Sequence, residues 1–164
     1  MSAAPQIEMR AEQPYVAIPA RLTMAGLAGL GGRLTEVFAW LGARGHAPAG
    51  APFFRYRVID MAHELEVEAG VPVDSAVDGD GDVVSGTLPG GRYATLTHLG
   101  PPGELARATQ TLLDWAAAEG LAWDMSSGER GERWGSRLEI YLTDPSQQPD
   151  MSKWETQLAF RLAG

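Results

Sequence analysis

The segment Leu138-Glu-Ile-Tyr-Leu-Thr143 places a carboxylate and a phenol two residues apart. In a strand, alternate residues share a face, so Glu139 and Tyr141 point to one side and Leu138 and Ile140 to the other. A carboxylate at this position is costly to desolvate unless a ligand cation or a reaction that needs a base uses it. The alternative is that this face of the strand is exposed to solvent. If the aliphatic side packs on a helix, Glu139 and Tyr141 face a groove.

Aromatic residues concentrate in the strands and loops that follow two predicted helices. Aromatic faces together with one acidic group are a known way of holding an organic cation, although any single ring can instead be an ordinary core residue. The alternation in the strand 53–59 leaves open whether Arg55 or Tyr56 faces the groove. The aromatic residues expected to bind ligand, together with Glu139, are Phe54, Tyr56, Trp123, Trp134, Tyr141 and Trp154.

If the protein is an enzyme, its chemistry is simple. Glu139 would activate a water as a general base or stabilise a developing cation, while Tyr141 or Tyr56 donates a hydrogen bond or a proton. One carboxylate and one phenol each contribute about 10² to 10⁴-fold, which suits the opening of a strained ring better than the cleavage of an amide. No GxSxG motif indicates a serine hydrolase.

Metal, cofactor and nucleic-acid sites are not expected. The histidines have no HExxH spacing. An EF-hand loop that began at Asp78 would have Val83 rather than Gly at its sixth position and Pro89 rather than Glu at its twelfth, so the run 74–82 is not expected to bind calcium. The 164 residues include no Cys, and 21 Asp and Glu against 13 Lys and Arg give a formal net charge of -8. This charge disfavours direct nucleic-acid binding. Without an apolar membrane span or a targeting signal, we expect a soluble cytoplasmic domain.

The chain contains an internal repeat with an offset of about 75 residues. Ala20-Arg-Leu-Thr-Met24 echoes Ala94-Thr-Leu-Thr-His98, and each echo is followed by a helical apolar period and two strand-like runs. We predict an α+β fold built from a tandem β-α-β-β duplication with pseudo-twofold symmetry, antiparallel sheets, helices on one face and a ligand groove between the halves. The first repeat covers about 12–74, an acidic linker 74–82, and the second repeat about 83–164. The loop 121–136 is longer than its counterpart 45–52 and is the place for a feature unique to one half.

Four segments resemble the GyrI-like small-molecule-binding family, which also supplies the effector domain of AraC-type and MerR-type multidrug regulators. The segments are Pro89-Gly-Gly-Arg-Tyr-Ala94, Leu96-Thr-His-Leu-Gly-Pro101, Leu138-Glu-Ile-Tyr-Leu-Thr-Asp-Pro145 and Trp154-Glu-Thr-Gln-Leu158. The resemblance extends from about Ile7 to Leu162 and implies that Glu139 is the central carboxylate of the groove. It adds His98 and Gln157 to the expected ligand-binding residues.

Two departures from the family pattern bear on the ligand. Gln157 stands where a second Glu is common, and Pro102 stands where an aromatic residue is common. The missing charge weakens the case for a dicationic ligand. The family also includes hydrolases that open cyclopropane-bearing genotoxins, and Glu139 is compatible with that role as base.

We therefore expect a standalone protein, monomeric or homodimeric, that binds a hydrophobic or cationic aromatic small molecule for drug sensing or sequestration. The elements from Pro14 to Leu162 belong to the repeat and leave no room for a helix-turn-helix. Two alternatives stay open. One is a hydrolase of strained rings that uses Glu139 and Tyr141, and the other is an acidic protein-interaction or inhibitor module.

Overall fold

A computed structural model describes residues 2–164 and contains ten strands and two helices. The elements are β1 (Gln6–Arg10), β2 (Gln13–Leu22), α1 (Leu27–Ala43), β3 (Phe53–Ile59), β4 (Leu65–Pro72), β5 (Val84–Leu88), β6 (Gly91–Leu99), α2 (Leu105–Ala118), β7 (Met125–Gly128), β8 (Gly131–Trp134), β9 (Arg137–Tyr141) and β10 (Glu155–Arg161). The fold is mixed α+β, as the repeat predicts. Within residues 2–164, no helix is both long and apolar enough to cross a membrane.

The strands of both repeats form one continuous sheet with the order β1-β6-β10-β9-β3-β4-β2-β5, in which all pairs are antiparallel. The order is symmetric about the β9–β3 pair, because β2, β3 and β4 in one half correspond to β6, β9 and β10 in the other. Phe54 lies directly opposite Glu139 at this central pair. The two repeats thus meet at one strand pair inside a single sheet.

Both helices pack on the same face of the sheet. Leu30 of α1 belongs to a buried cluster with side chains of β3 and β4, and Leu41 packs with side chains of β2 and β4. Ala108 and Leu112 of α2 pack on apolar residues of β6 and β10. Strand β9 lies between the strands covered by α1 and those covered by α2. We call this side the helix face.

The opposite side of the sheet is concave. One buried cluster on it joins residues from six strands, including the distant β5 and β6, so the sheet curls around this cluster. The cluster consists of Tyr15, Ala17, Phe53, Leu88, Tyr93, Leu138 and Ala159. Beside it, the Tyr15 hydroxyl donates to Glu68 and accepts from Arg55, and burial together with the Glu68 charge raises the pKa of Tyr15 to about 12. These apolar and hydrogen-bonded side chains fill the middle of the concave face.

Two elements were not foreseen from the sequence. Residues 6–10 form the edge strand β1, although the repeat begins after them. Residues 121–136, expected as a loop, contain the hairpin β7–β8, and β8 pairs with β3 through Val58 and Arg133. The hairpin has no counterpart among the described elements of the first repeat, and it brings Trp134 into the buried cluster under α2.

The acidic linker 74–82 is exposed over most of its length and partly neutralised by α1. Asp80 forms an ion pair of 2.7 Å with Arg44, and Asp82 lies 3.7 Å from Arg33. Exposed ion pairs of this kind contribute little stability. Because both carboxylates have arginine partners, they give little support to an acidic interaction patch at the linker.

The turn of the β7–β8 hairpin offers a matched pair of glycines for a stability test. Gly131 has φ +83, and a Cβ there would collide with the carbonyl oxygen of Ile59, whereas a Cβ at Gly128 meets open space. We expect Gly131→Ala to lower the free energy of unfolding by about 2 kcal/mol or more and Gly128→Ala to change it by less than about 0.5 kcal/mol. Urea unfolding of both variants measures this. Equal losses would contradict the described turn.

Candidate functional site

Glu139 lies on the helix face, in the central strand β9. Its neighbours in register are Phe54 on β3 and Leu158 on β10, which pack under α1 and α2 respectively. The expectation that Leu138 and Ile140 pack on a helix is wrong, because both pack in the concave cluster. Glu139 lies between the strands that α1 covers and those that α2 covers.

The Glu139 side chain is half-buried and interacts with two tyrosine hydroxyl groups. The Tyr141 hydroxyl donates to its Oε1 at 2.8 Å, and the Tyr56 hydroxyl also stabilises the charged carboxylate. Burial raises the pKa of Glu139 above its ordinary value, and the two phenols and the positive charge of Arg137 oppose that rise. Since burial is the largest cause, the carboxylate is held at a net cost in this position.

The two phenols occupy equivalent positions in the two repeats. Counting from the opposed pair Phe54 and Glu139, Tyr56 and Tyr141 each lie two residues further along their own strands. Burial and the Glu139 charge raise the pKa of both hydroxyl groups, so both stay protonated and serve as donors. The ring of Tyr141 also packs edge-on against Phe54 with centroids 5.1 Å apart. The structure therefore settles the register of β3: Tyr56 shares the helix face with Glu139, and Arg55 is on the concave face.

Arg137 is the site residue that the sequence argument missed. Its guanidinium carbon lies 4.4 Å from the centroid of the Phe160 ring and 4.8 Å from that of Trp134. Burial lowers the pKa of Arg137, and the charges of Glu132 and Glu139 oppose this effect. The signal was available, because residue 137 shares a strand face with 139 by the period of two. The sequence criteria for a site, an acidic group with aromatic neighbours, do not select an arginine.

Trp123 and Trp134 lie together near Arg137. Their rings are 5.6 Å apart, and both contact Phe160, with centroid distances of 5.8 Å and 5.7 Å. Trp134 donates through Nε1 to Glu132 at 3.3 Å. These two predicted ligand-binding residues belong to a cluster of aromatic rings under α2. Arg137 lies over the Trp134 ring and also interacts with the charge of Glu139.

His98 lies on the helix face, two strands away from Tyr141. It is opposite Thr156 on β10, and Thr156 is opposite Tyr141 on β9. The imidazole is buried and hydrogen-bonded at both nitrogens, to Ser2 at 2.8 Å and to Glu104 at 3.1 Å. His98 therefore closes the side of the groove that borders the start of α2.

Two further predicted residues are not brought to Glu139. Gln157 lies opposite Ile140 and points to the concave face, where it accepts a hydrogen bond of 2.7 Å from Arg10. Strand alternation is the reason, because 156 and 158 occupy the helix face. Trp154 precedes β10 and donates from its indole to the carbonyl oxygen of Gln148 at 2.7 Å. Its contacts place it in the loop structure rather than beside the carboxylate.

Two clefts lie elsewhere on the surface. One of about 390 Å³ is lined by β2, β3 and β4 residues that include Arg21, Arg57 and Glu66, and one of about 350 Å³ lies beside the hairpin. Neither cleft includes Glu139. In residues 2–164, no group of three or more His, Asp or Glu side chains is placed to hold a metal ion. Glu139 interacts with Tyr56, Tyr141 and Arg137, and the side chains of Glu139, Arg137 and Tyr141 are half-buried.

A family model described as the GyrI-like small molecule binding domain matches residues 3–163. No curated protein gives a significant sequence match. The family assignment therefore rests on the match to this family model, which covers nearly the whole chain.

Several solved structures share the fold. The EcmrR C-terminal domain is 16% identical, with 98% of this chain and 97% of that chain covered at a TM-score of 0.76. SAV2435 bound to tetraphenylphosphonium is 13% identical, with coverage of 99% and 95% and a TM-score of 0.67. A hydrolase from Listeria innocua is 16% identical, with coverage of 97% and 91% and a TM-score of 0.63. In the cryo-EM structure of an EcmrR–DNA complex, this chain covers only 57% of EcmrR.

The burial of Glu139 gives a pH test. Its pKa in the folded chain lies above the ordinary value, so between these two values the folded chain binds more protons than the unfolded chain. The free energy of unfolding of the wild type therefore loses a contribution as pH rises through this window. Because Gln does not titrate, the stability of Glu139→Gln relative to the wild type should increase from about pH 4 upward and then level off.

Urea unfolding at a series of pH values measures this difference. Glu155→Gln, which removes an exposed carboxylate from the neighbouring strand β10, is the control. If the difference in free energy of unfolding between Glu139→Gln and the wild type stays constant or shrinks as pH rises, the carboxylate is not desolvated.

Proposed function

Since this chain belongs to the GyrI-like small-molecule-binding family, we propose that it binds bulky aromatic or cationic organic molecules on the helix face, around Glu139. The observation that carries the proposal is a carboxylate with a raised pKa in the central strand, between two helices and beside the aromatic residues Phe54, Tyr56 and Tyr141. A purely structural core has no need for a charge at this point, because an apolar residue of similar size avoids the desolvation cost.

The neighbourhood of Glu139 provides what an organic ligand needs. The rings offer flat apolar surface, and the carboxylate and the phenols offer one charge and two hydrogen-bond partners, the usual mixture in small-molecule sites. The solved structure of SAV2435 with tetraphenylphosphonium supports a ligand of this kind in a protein of the same fold. For this chain, we propose drug sensing or sequestration as the role of binding.

We propose that a ligand enters between α1 and α2 by displacing side chains, because neither of the two clefts described above includes Glu139. The site is bounded by the two helices, the hairpin and the His98 contact, and the helices are held by side-chain packing rather than by sheet hydrogen bonds. We propose that rotation of the Arg137 or Tyr141 side chain, with a small shift of a helix, opens the groove.

The first binding test replaces the carboxylate. Glu139→Gln keeps the size and one hydrogen-bond acceptor but removes the charge. We expect it to weaken binding of a lipophilic cationic dye by about tenfold, which corresponds to about 1.4 kcal/mol. The melting temperature should stay unchanged or rise, because a desolvated charge is removed. Calorimetric titration and thermal unfolding provide the two measurements.

Glu155→Gln is the matched control for net charge and should leave dye affinity within about twofold. Equal dye binding by the wild type and Glu139→Gln would show that the carboxylate does not contact the ligand. A fall in both affinity and melting temperature would instead indicate loss of folded protein.

A second candidate function is hydrolysis of strained rings. The Tyr141 hydrogen bond to Glu139 and the raised pKa of the carboxyl place an acid-base pair in the groove. Glu139 would take a proton from water while the water oxygen bonds to one ring carbon. The electron pair of the broken carbon–carbon bond would stay with the part of the substrate that leaves the attacked carbon. Tyr56 or Tyr141 would donate a proton to that part, and the proton held by Glu139 would replace it.

Turnover distinguishes the two functions. A cyclopropane-bearing alkylating compound, incubated with a hundredth of its concentration of protein, should give many equivalents of a product heavier by one water if the chain is a hydrolase. Mass spectrometry follows the product. Glu139→Gln should abolish turnover and Glu155→Gln should preserve it. Depletion limited to one equivalent, with no water adduct, would leave binding as the function.

A further inference from the structure

One position suited to an organic cation, over the rings of Phe160 and Trp134, is occupied by a cation of the chain. The Arg137 guanidinium lies over the rings of Phe160 and Trp134, which we call the aromatic cage. Both distances, 4.4 Å and 4.8 Å, are well inside the range of about 6 Å over which a cation is attracted to an aromatic face. The cage is thus built for a positive charge and holds one.

The sheet and the hairpin together fix this arrangement. Arg137 lies opposite Phe160 in the β9–β10 register, and the hairpin of the second repeat supplies Trp134. Two acidic residues interact with the guanidinium charge, Glu132 from the hairpin and Glu139 from the same strand face. The equivalent position of the first repeat, two residues before Phe54, is Pro52, so this cation position belongs to the second repeat.

Occupation by Arg137 changes what the site can accept. The two carboxylates and the guanidinium carry a formal net charge of -1. Without the guanidinium, the two carboxylates would present a charge of -2 to a ligand cation. A permanent cation must either displace the guanidinium from the cage or lie near a like charge in a poorly solvated site, where repulsion is stronger than in water. An uncharged ligand has neither cost. If it carries an oxygen acceptor, it gains hydrogen bonds from the guanidinium N–H groups.

We propose that Arg137 is a specificity-determining residue, which makes the groove select uncharged aromatic compounds with a hydrogen-bond-accepting oxygen over permanent organic cations. This inference rests on the proposed binding function at Glu139. It narrows that function from bulky aromatic or cationic molecules to one preferred class. Cations still bind, but more weakly than they would without the internal guanidinium.

Two phosphorus compounds with similar aryl groups test the preference. Tetraphenylphosphonium carries a permanent positive charge, and triphenylphosphine oxide is uncharged and presents a strong acceptor oxygen. Calorimetric titration gives the Kd of each for the wild type and for Arg137→Met, in which the side chain keeps its length and its apolar contact with the cage. The wild type should bind the oxide more tightly than the phosphonium.

In Arg137→Met, phosphonium affinity should rise by about tenfold or more, and oxide affinity should fall by several-fold, so that the order reverses. Arg133→Met is the control, because Arg133 is an exposed arginine of the same hairpin and its loss changes the net charge equally. It should leave the order unchanged. Circular dichroism and the melting temperature check that both variants are folded.

The outcomes separate the inference from the proposed function. If the wild type binds aryl compounds with the same preference as Arg137→Met, or if Arg133→Met gives the same shift, the role of Arg137 is wrong and the binding function stands. If Arg137→Met alone binds the phosphonium, Arg137 acts as proposed. If neither folded protein binds either compound, the binding function fails and the inference fails with it.

Discussion

The burial of one carboxylate in the middle of a sheet is the constraint on which the site depends. Glu139 lies where a core residue is expected, and its cost is offset by two phenols and one guanidinium rather than by a close ion pair. Each of these partners comes from a defined place in the fold. Tyr56 and Tyr141 come from equivalent positions of the repeat, and Arg137 comes from the same strand face. The second repeat supplies the charges, and both repeats supply the rings.

The two faces of the sheet are lined by different kinds of contact. On the concave face, the Tyr15 hydroxyl donates to Glu68 and accepts from Arg55, and Arg55 also donates to the carbonyl oxygen of Gly135 at 2.7 Å. On the helix face, α1 and α2 each cover their own half, and the central strand pair between them is covered by long polar and aromatic side chains. Such side chains can rotate without breaking the sheet, which makes the helix face the better place for an exchangeable ligand.

The sequence carried enough information for the repeat, the helices and the choice of Glu139, because these depend on local periodicity and on one residue whose type conflicts with its setting. The strand 53–59 is predicted with the observed bounds. The predicted orientation of β9 rests on the assumption that its aliphatic residues face a helix. In this sheet both faces are buried, so the aliphatic side chains of β9 fill the concave cluster instead. Gln157 was misplaced because alternation was not applied to it, and the hairpin was missed because its four-residue strands are short and polar.

A crystal structure of the protein with triphenylphosphine oxide is the most direct test of ligand binding on the helix face against Glu139. We expect aryl rings between α1 and α2, in contact with Tyr56 and Phe54, and the oxide oxygen within hydrogen-bond distance of the Arg137 guanidinium. Ligand density in the cleft lined by Arg21, Arg57 and Glu66, with the groups around Glu139 unchanged, would contradict it.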